Sequence, residues 1–288
     1  MTPASVTAFC PGHISGYFRR VDGSDPATTG SLGAGIVISE GVTATVKPAD
    51  RSSVIVRVRS SDGMLREISR TSPPISSALD RFGVTVAVET VCRLPIGAGF
   101  GLSAAALLAT LTATNRLFDL GLSTDEIAEV AHETEVVFRT GLGDVAACQG
   151  GGRVVRTGPG IHGTILRTFD LDFPVCAITF GPIHTPDVLG SKAQMARVAE
   201  AFPARQPETY LDFFACCREF SKKSGLETPA VQRVLAECDR CHIPAAMTML
   251  GEGVFACGDR ASGVLRAFGE VYNMGMADAG VRIVETDI

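Results

Sequence analysis

Alternating apolar and polar positions dominate the first third of the chain. Between Val6 and about Val91, the segments GAGIVIS, VTATVKP, SSVIVRVRS and GVTVAVETVCR are rich in β-branched residues, several at every second position, and predict strands. Residues 22–35 are rich in Gly, Ser, Thr and Asp and read as a loop. The period changes at Ser103. SAAALLATLTATNRLF predicts a buried helix that stops before Asp119. STDEIAEVAHETEVVF predicts a second helix, opened by a capping box of Ser123 and Glu126. TGLGDVAACQGGGRVV reads as a glycine loop leading back into a strand. A second unit begins after about Gly163. It has a strand in FPVCAITF, then helical patterns in SKAQMARVAEAF, PETYLDFFACCREFSKKSG and TPAVQRVLAECDR. AAMTML and VFACG read as strands, ASGVLRAFGEVYNMG as a helix and GVRIVETDI as a last strand. Strands and helices mix without strict β-α-β alternation, so the fold class is α+β in two lobes. The division falls at 1–160 and 161–288.

Composition narrows the function classes. The chain has 288 residues, 45% of them hydrophobic, enough for a sizeable core. A formal net charge of −5 without a long basic run argues against a nucleic-acid partner. Nine scattered cysteines, an odd number, fit reduced thiols better than a disulfide framework. The first residues lack a basic stretch followed by an apolar one, and no stretch approaches ~20 uninterrupted apolar residues. The expectation is a cytoplasmic protein with no membrane partner.

Residues 94–110, LPIGAGFGLSAAALLAT, place Gly97, Gly99 and Gly101 immediately before the first predicted helix. Glycine weakens a regular element by roughly 0.5–1 kcal/mol relative to alanine, so three together need a reason. A strand, a glycine loop and a helix in that order make a phosphate cradle. The loop turns its N–H groups inward, and the helix adds free amides and the positive end of its dipole. The G-x-x-x-x-G-K-[ST] loop is excluded because Leu102 follows Gly101. The dinucleotide pattern G-x-G-x-x-G is excluded as well. It needs glycine at 102 or 104, where Leu102 and Ala104 stand, and a second strand soon after the helix.

The loop resembles that of the GHMP kinase superfamily, P-x-x-x-G-L-G-S-S-A-A. Here it runs Pro95, Ile96, Gly97, Ala98, Gly99, Phe100, Gly101, Leu102, Ser103, Ala104, Ala105, with Phe100 and Leu102 as departures. VTAFCPGHISGYF resembles the family's A-P-G-K-I-x-L-x-G-E opening, and AAMTMLGEGVFAC its glycine-rich third motif. Within the superfamily, the histidine of CPGHISGYF and the loop PIGAGFGLSAA look most like the archaeal pantoate kinase group. The resemblance implies an amino-terminal lobe like a ribosomal-protein domain, a ferredoxin-like carboxy-terminal lobe and a site between them. It implies ATP and Mg2+ as cofactors and phosphorylation of pantoate, a small hydroxy acid, on the route to coenzyme A. A homodimer is expected from family habit. Residues 95, 97–104 would then hold the ATP phosphates.

Phosphoryl transfer needs positioning, a divalent metal and a group that orients the attacking hydroxyl. Ser103 is the loop serine, expected at the metal and phosphates, with a plain N-cap as its other reading. Glu126, Glu129 and Glu133 recur at three- and four-residue steps and share a solvated helix face. Glu135 sits about 200° from Glu133 on a 3.6-residue turn. That puts it at the edge of the apolar face, beside Ala131 and Phe138. The family's metal glutamate lies on this helix in an E-x-E pattern, whose second member matches Glu135. Asp144, in TGLGD, is either a turn aspartate or the acceptor of the substrate hydroxyl proton. His13 stands where the family has a lysine, and as a catalytic or substrate-binding residue it is set against a structural histidine. Ser15, Arg19 and Arg153 join His13 and Asp144 as expected substrate contacts, since a hydroxy acid calls for an arginine. Arg20 and Arg139 are equally near a motif, and His184 is a weaker candidate. Cys238, Cys241 and His242 lack a second ligand pair at zinc spacing and read as ordinary thiols. Two other functions stay open. One is a homoserine, shikimate or mevalonate type of GHMP kinase, and the other is a non-catalytic ligand sensor on the same fold.

Overall fold

In the computed structural model, residues 3–183 and 185–287 are described, the side chains of 185–187 excepted; His184 lies outside the described residues. The chain opens with two long strands, β1 (Ser5–Val21) and β2 (Gly30–Pro48), paired antiparallel along nearly their whole length. The predicted loop is therefore shorter than 22–35, because β2 already begins at Gly30. The glycines that suggested a loop serve close packing inside the sheet instead. Gly35 faces the His13 imidazole, where any Cβ would collide with it. After β3 (Ser53–Arg59) and β4 (Leu65–Ser69) comes the helix α1 (Pro73–Asp80), then β5 (Val86–Cys92). β5 runs into the glycine loop and the buried helix α2 (Leu102–Phe118), followed by α3 (Thr124–Phe138). The capping box forms at the start of α3 as expected: the Ser123 hydroxyl accepts from the Glu126 amide, and Glu126 accepts from the Ser123 amide.

The predicted glycine loop after α3 contains a short helix, α4 (Asp144–Cys148), before β6 (Arg153–Arg156) and β7 (Ile165–Thr168). The second half continues with β8 (Val175–Pro182), α5 (Thr185–Gly190), α6 (Lys192–Ala201), α7 (Tyr210–Ser224) and α8 (Pro229–Arg240). It ends with β9 (Ala245–Met247), β10 (Gly251–Cys257), α9 (Ala261–Leu265), β11 (Tyr272–Met274) and β12 (Arg282–Asp287). The helix expected over 261–275 stops early, and Tyr272–Met274 pairs with β8 instead.

Two sheets result. The first has eight strands, ordered β12-β1-β2-β5-β3-β4, with β6 and β7 extending from β2. Among the described residues, β3 and β5 are the one parallel pair. The second has four antiparallel strands in the order β11-β8-β10-β9. β7 and β12 come from the second half of the sequence yet belong to the first sheet, so a cut at residue 160 severs both. α2 is apolar nearly all round, as a helix covered on every side must be. Leu107, Leu108, Ala109 and Leu111 are buried against β1, β2 and α3. All nine cysteines are free thiols, and only Cys241 is partly exposed. Among the described residues, no helix is long and apolar enough to cross a membrane.

Candidate active site

The glycine loop lies against the middle of β1. Gly97, Gly99 and Gly101 have φ of 79°, 83° and 63°, a region that L-residues with a Cβ enter only with strain. Two of them also face backbone too closely for a side chain. A Cβ on Gly99 would meet the Met249 carbonyl oxygen at 2.8 Å, and one on Gly101 the His13 carbonyl oxygen at 2.9 Å. The His13 amide donates to the Phe100 carbonyl at 3.0 Å, which fastens the loop to β1. Gly101→Ala combines the strain of that φ with the collision. It should lower the free energy of unfolding by about 2–4 kcal/mol, read from urea denaturation, with Leu107→Ala as a core-deletion reference.

Gly101 is the N-cap of α2, with no side-chain cap. Ser103 is therefore the second helical residue. Its hydroxyl is free of the capping role, and the amides of the first turn have no intrahelical partner. Ser103 lines a cavity of about 640 Å3 with Gly97, Gly99, Phe100, Gly101, Leu102 and Ala104. Pro95 and Ala98 do not line it; Ala98 is buried beneath the loop.

Glu135 and Asp144 line the same cavity. Glu135, on α3, is 1% exposed, and its Oε1 accepts from the Thr140 hydroxyl at 2.9 Å. Glu133 instead pairs with Arg81 at 2.6 Å and does not line the cavity. Gly141 leaves open the space where the two carboxylates converge. A Cβ there would collide with Glu135 Oε2 and lie 3.2 Å from Asp144 Oδ2. Burial, reinforced by the Asp144 charge, pushes the Glu135 carboxyl up to about 7. Burial also raises Asp144. A hydrogen bond and electrostatic attraction from His13, and then the positive field of Arg156, outweigh that and hold it below the ordinary carboxylate value.

His13 is fully buried on β1, and its Nδ1–H donates to Asp144 Oδ1 at 2.7 Å. Its Nε2 is buried without a partner. A proton there would be an unpaired buried donor, which disfavours the charged ring. Burial lowers its pKa in spite of the neighbouring carboxylate. His13 therefore orients Asp144 first of all through this hydrogen bond.

A cation comes from Arg156, a residue the sequence reading passed over. It is 2% exposed on β6, does not itself line the cavity, and has Nε and Nη1 without a hydrogen-bond partner. Its guanidinium lies beside Gly143, the residue before Asp144; a Cβ on Gly143 would be 2.6 Å from Arg156 Nε and 2.6 Å from the Ser31 hydroxyl. A buried guanidinium with two idle donors is costly unless an acceptor joins it. The expectation for Arg153 is corrected. It is 1% exposed, donates to the Asp170 carboxylate at 2.9 Å and to the Glu208 carbonyl at 3.1 Å, and does not line the cavity. Arg19 is also elsewhere, 4.7 Å over the Phe202 ring. Arg20 pairs with Asp22, and Arg139 is the exposed C-cap of α3. Ser15 does line the cavity, as do Phe18, Ile183, Met249 and Leu250.

Among the described residues, no group of three or more His, Cys, Asp or Glu forms a metal cage, the Cys238–His242 segment included. Two carboxylates and a serine hydroxyl facing one cavity are an all-oxygen donor set. That fits Mg2+, which uses one or two carboxylates and fills its other positions with water and phosphate oxygens.

The sequence profile described as the GHMP kinases N terminal domain matches residues 66–152. The pantoate kinase of Methanospirillum hungatei JF-1 is 47% identical over 279 residues, spanning 97% of this chain and 96% of that one. The pantoate kinase of Thermococcus kodakarensis is 32% identical, with 87% of each chain covered. A solved structure described as a phosphotransferase related to the CoA biosynthesis pathway superposes with a TM-score of 0.77 at 25% identity, over 97% of this chain and 98% of that one. The chain belongs to the GHMP kinase family.

Proposed function

We propose that the protein is an ATP-dependent kinase that phosphorylates the terminal hydroxyl of pantoate, the substrate named for its 47%-identical relative. The observation that carries this reading is the convergence of the glycine loop, Ser103, Glu135 and Asp144 on one cavity. Arg156, buried beside Gly143 with two unpartnered donors, is assigned the substrate carboxylate, which fits a substrate bearing both an acid and a hydroxyl. Phe18, Ile183, Met249 and Leu250 give the same cavity an apolar wall for a branched carbon chain. The loop amides and the first turn of α2 receive the ATP phosphates. Ser103 and Glu135 would hold Mg2+, which neutralises charge on the transferring phosphoryl group. Asp144, fixed by His13, accepts the hydroxyl proton and aims the oxygen. The site lies between lobes 1–160 and 161–288, with β7 and β12 returning to the first sheet. Nine free thiols fit a cytoplasmic location, and a homodimer is expected from family habit.

ADP release from Mg-ATP against pantoate, mevalonate, homoserine, shikimate and galactose tests the reading. Turnover on pantoate alone is expected. Turnover only on another acceptor replaces the substrate, and ATP binding without any turnover replaces the kinase by a sensor. Arg156→Gln should raise KM for pantoate about 30–150-fold, the loss of one charged hydrogen-bond partner worth about 2–3 kcal/mol, with KM for ATP nearly unchanged. The analogue with an alcohol in place of the carboxylate should lose the discrimination between wild type and variant. An equal penalty on that analogue would remove Arg156 from carboxylate recognition.

A further inference from the structure

Arg167 stands on β7 and does not line the cavity, and none of the roles above uses it. Its side chain crosses to the far end of α4. Nη1 donates to the carbonyls of Ala147 at 2.9 Å and Gly151 at 2.8 Å, and Nη2 to the carbonyl of Ala146 at 3.1 Å. One guanidinium thus binds two carbonyls in the last turn of a helix whose first residue is Asp144, and a third in the segment that follows it. The seat is shaped for it. A Cβ on Gly150 would lie 2.9 Å from both Cζ and Nε of Arg167.

α4 needs such a partner. It has five residues, too few to hold a helical register unaided. Its N-cap, Gly143, has no side chain to receive the first amides. Arg167 adds donors to its last carbonyls, of which Ala147 also accepts from the Gln149 and Gly150 amides, and a cation at a helix C-terminus suits the dipole. The register of α4 fixes where the Asp144 carboxylate points, and His13 Nδ1 meets that carboxylate from the other side.

We propose that Arg167 is a positioning residue for Asp144: by clamping the C-terminal carbonyls of α4 it sets the direction of the carboxylate that receives the substrate hydroxyl. The proposal rests on the reading of Asp144 given under the proposed function. Arg167 touches neither substrate nor phosphate, so its loss should appear in kcat and not in KM. A displacement of about 1 Å at a reacting group lowers a rate by about 100-fold.

The test uses the full-length protein with Arg167→Met, Arg167→Lys and Gly150→Ala. Steady-state kinetics give kcat and KM, and nitrogen-15-edited NMR without substrates follows the His13 Nδ1–H proton. Arg167→Met should lower kcat about 10–100-fold per folded molecule, with both KM values within about threefold. The His13 proton signal should shift or broaden in parallel. Arg167→Lys, which keeps the charge and part of the donor set, should recover some of the rate. Gly150→Ala keeps Arg167 but crowds its guanidinium, and should give an intermediate loss even if Arg167→Met folds poorly. The proposal is overturned if kcat stays within about twofold of wild type, or if the His13 signal is unmoved while kcat falls only with the folded fraction. If Asp144→Asn keeps turnover, the hydroxyl-acceptor role fails by itself, and the His13 signal still reports whether Arg167 sets the Asp144 position.

Discussion

Asp144→Asn should lower kcat about 1,000-fold while leaving ATP affinity close to wild type. A positioned general base contributes about 100- to 10,000-fold, and here the same carboxylate also aims the hydroxyl. The variant is well matched to the site. The asparagine Oδ1 can still accept from His13 Nδ1–H, so the contact that holds the side chain survives. Its other end becomes a donor where the substrate hydroxyl needs an acceptor. Arg156, the proposed partner of the substrate acid, is unchanged, so binding should survive better than turnover. The substitution also removes a negative charge beside Glu135, whose raised pKa owes part of its shift to Asp144. Glu135 should therefore titrate lower in Asp144→Asn than in wild type, a change visible in carboxyl carbon-13 spectra. A kcat within about tenfold of wild type would mean that positioning by Arg156, metal and loop suffices without the carboxylate.

This arrangement explains how the site can have a histidine where the family has a lysine. An ammonium at that position would lower the aspartate's pKa through its charge. Burial lowers the pKa of His13, which acts on Asp144 first through a hydrogen bond and then through its charge, and the positive field of Arg156 on another strand adds to both. The sequence could show the histidine but not the replacement. Arg153 and Arg156 are the ends of one RVVR strand, and both are buried. Only register separates them: Arg156 lies opposite Gly33, while Arg153 lies opposite Ile36 and beside Asp170. Arginine identity carries none of that information.

Local signals read well where one physical rule dominated. The three glycines preceded a helix and did prove to need positive φ. The Ser123–Glu126 capping box formed, and the misfit of Glu135 on its helix marked a residue that faces the cavity. Reading failed where tertiary packing overrode composition. Gly30, Gly33 and Gly35 looked like a loop and are strand, because backbone presses close on Gly30 and Gly33 and the His13 ring on Gly35. Pro73 and Pro74 hid α1, although proline is suited to a helix's first turn. Tyr272–Met274 continued a helical pattern in sequence but found a free edge of the second sheet. His13 and Asp144 are 131 residues apart, and only the fold brings them together.

Glu135→Gln should stabilise the ligand-free protein at pH 8 while lowering kcat about 100- to 1,000-fold. The sign follows from linkage. Glu135 has its pKa raised from an ordinary 4.5 to about 7, so between those values the folded state binds a proton that the unfolded state has lost. The contribution to stability is full below pH 4.5 and is lost as pH rises through 7. At pH 8 the folded protein holds a buried carboxylate that burial and Asp144 both oppose. Glutamine removes that charge with little change in shape, and its Oε1 can still accept from the Thr140 hydroxyl. The gain should be on the order of 1–3 kcal/mol at pH 8 and vanish near pH 4.5. His13 titrates with the opposite sign: its lowered pKa makes the fold less stable as pH falls below 6.5. That term is common to both proteins and cancels in their difference. Urea denaturation at pH 5 and pH 8, without Mg2+ or nucleotide, measures the two values. A variant destabilised equally at both pH values would mean that Glu135 holds the fold together. A gain confined to pH 8, with turnover lost, would mean that the buried charge is kept at the expense of stability because the reaction needs it.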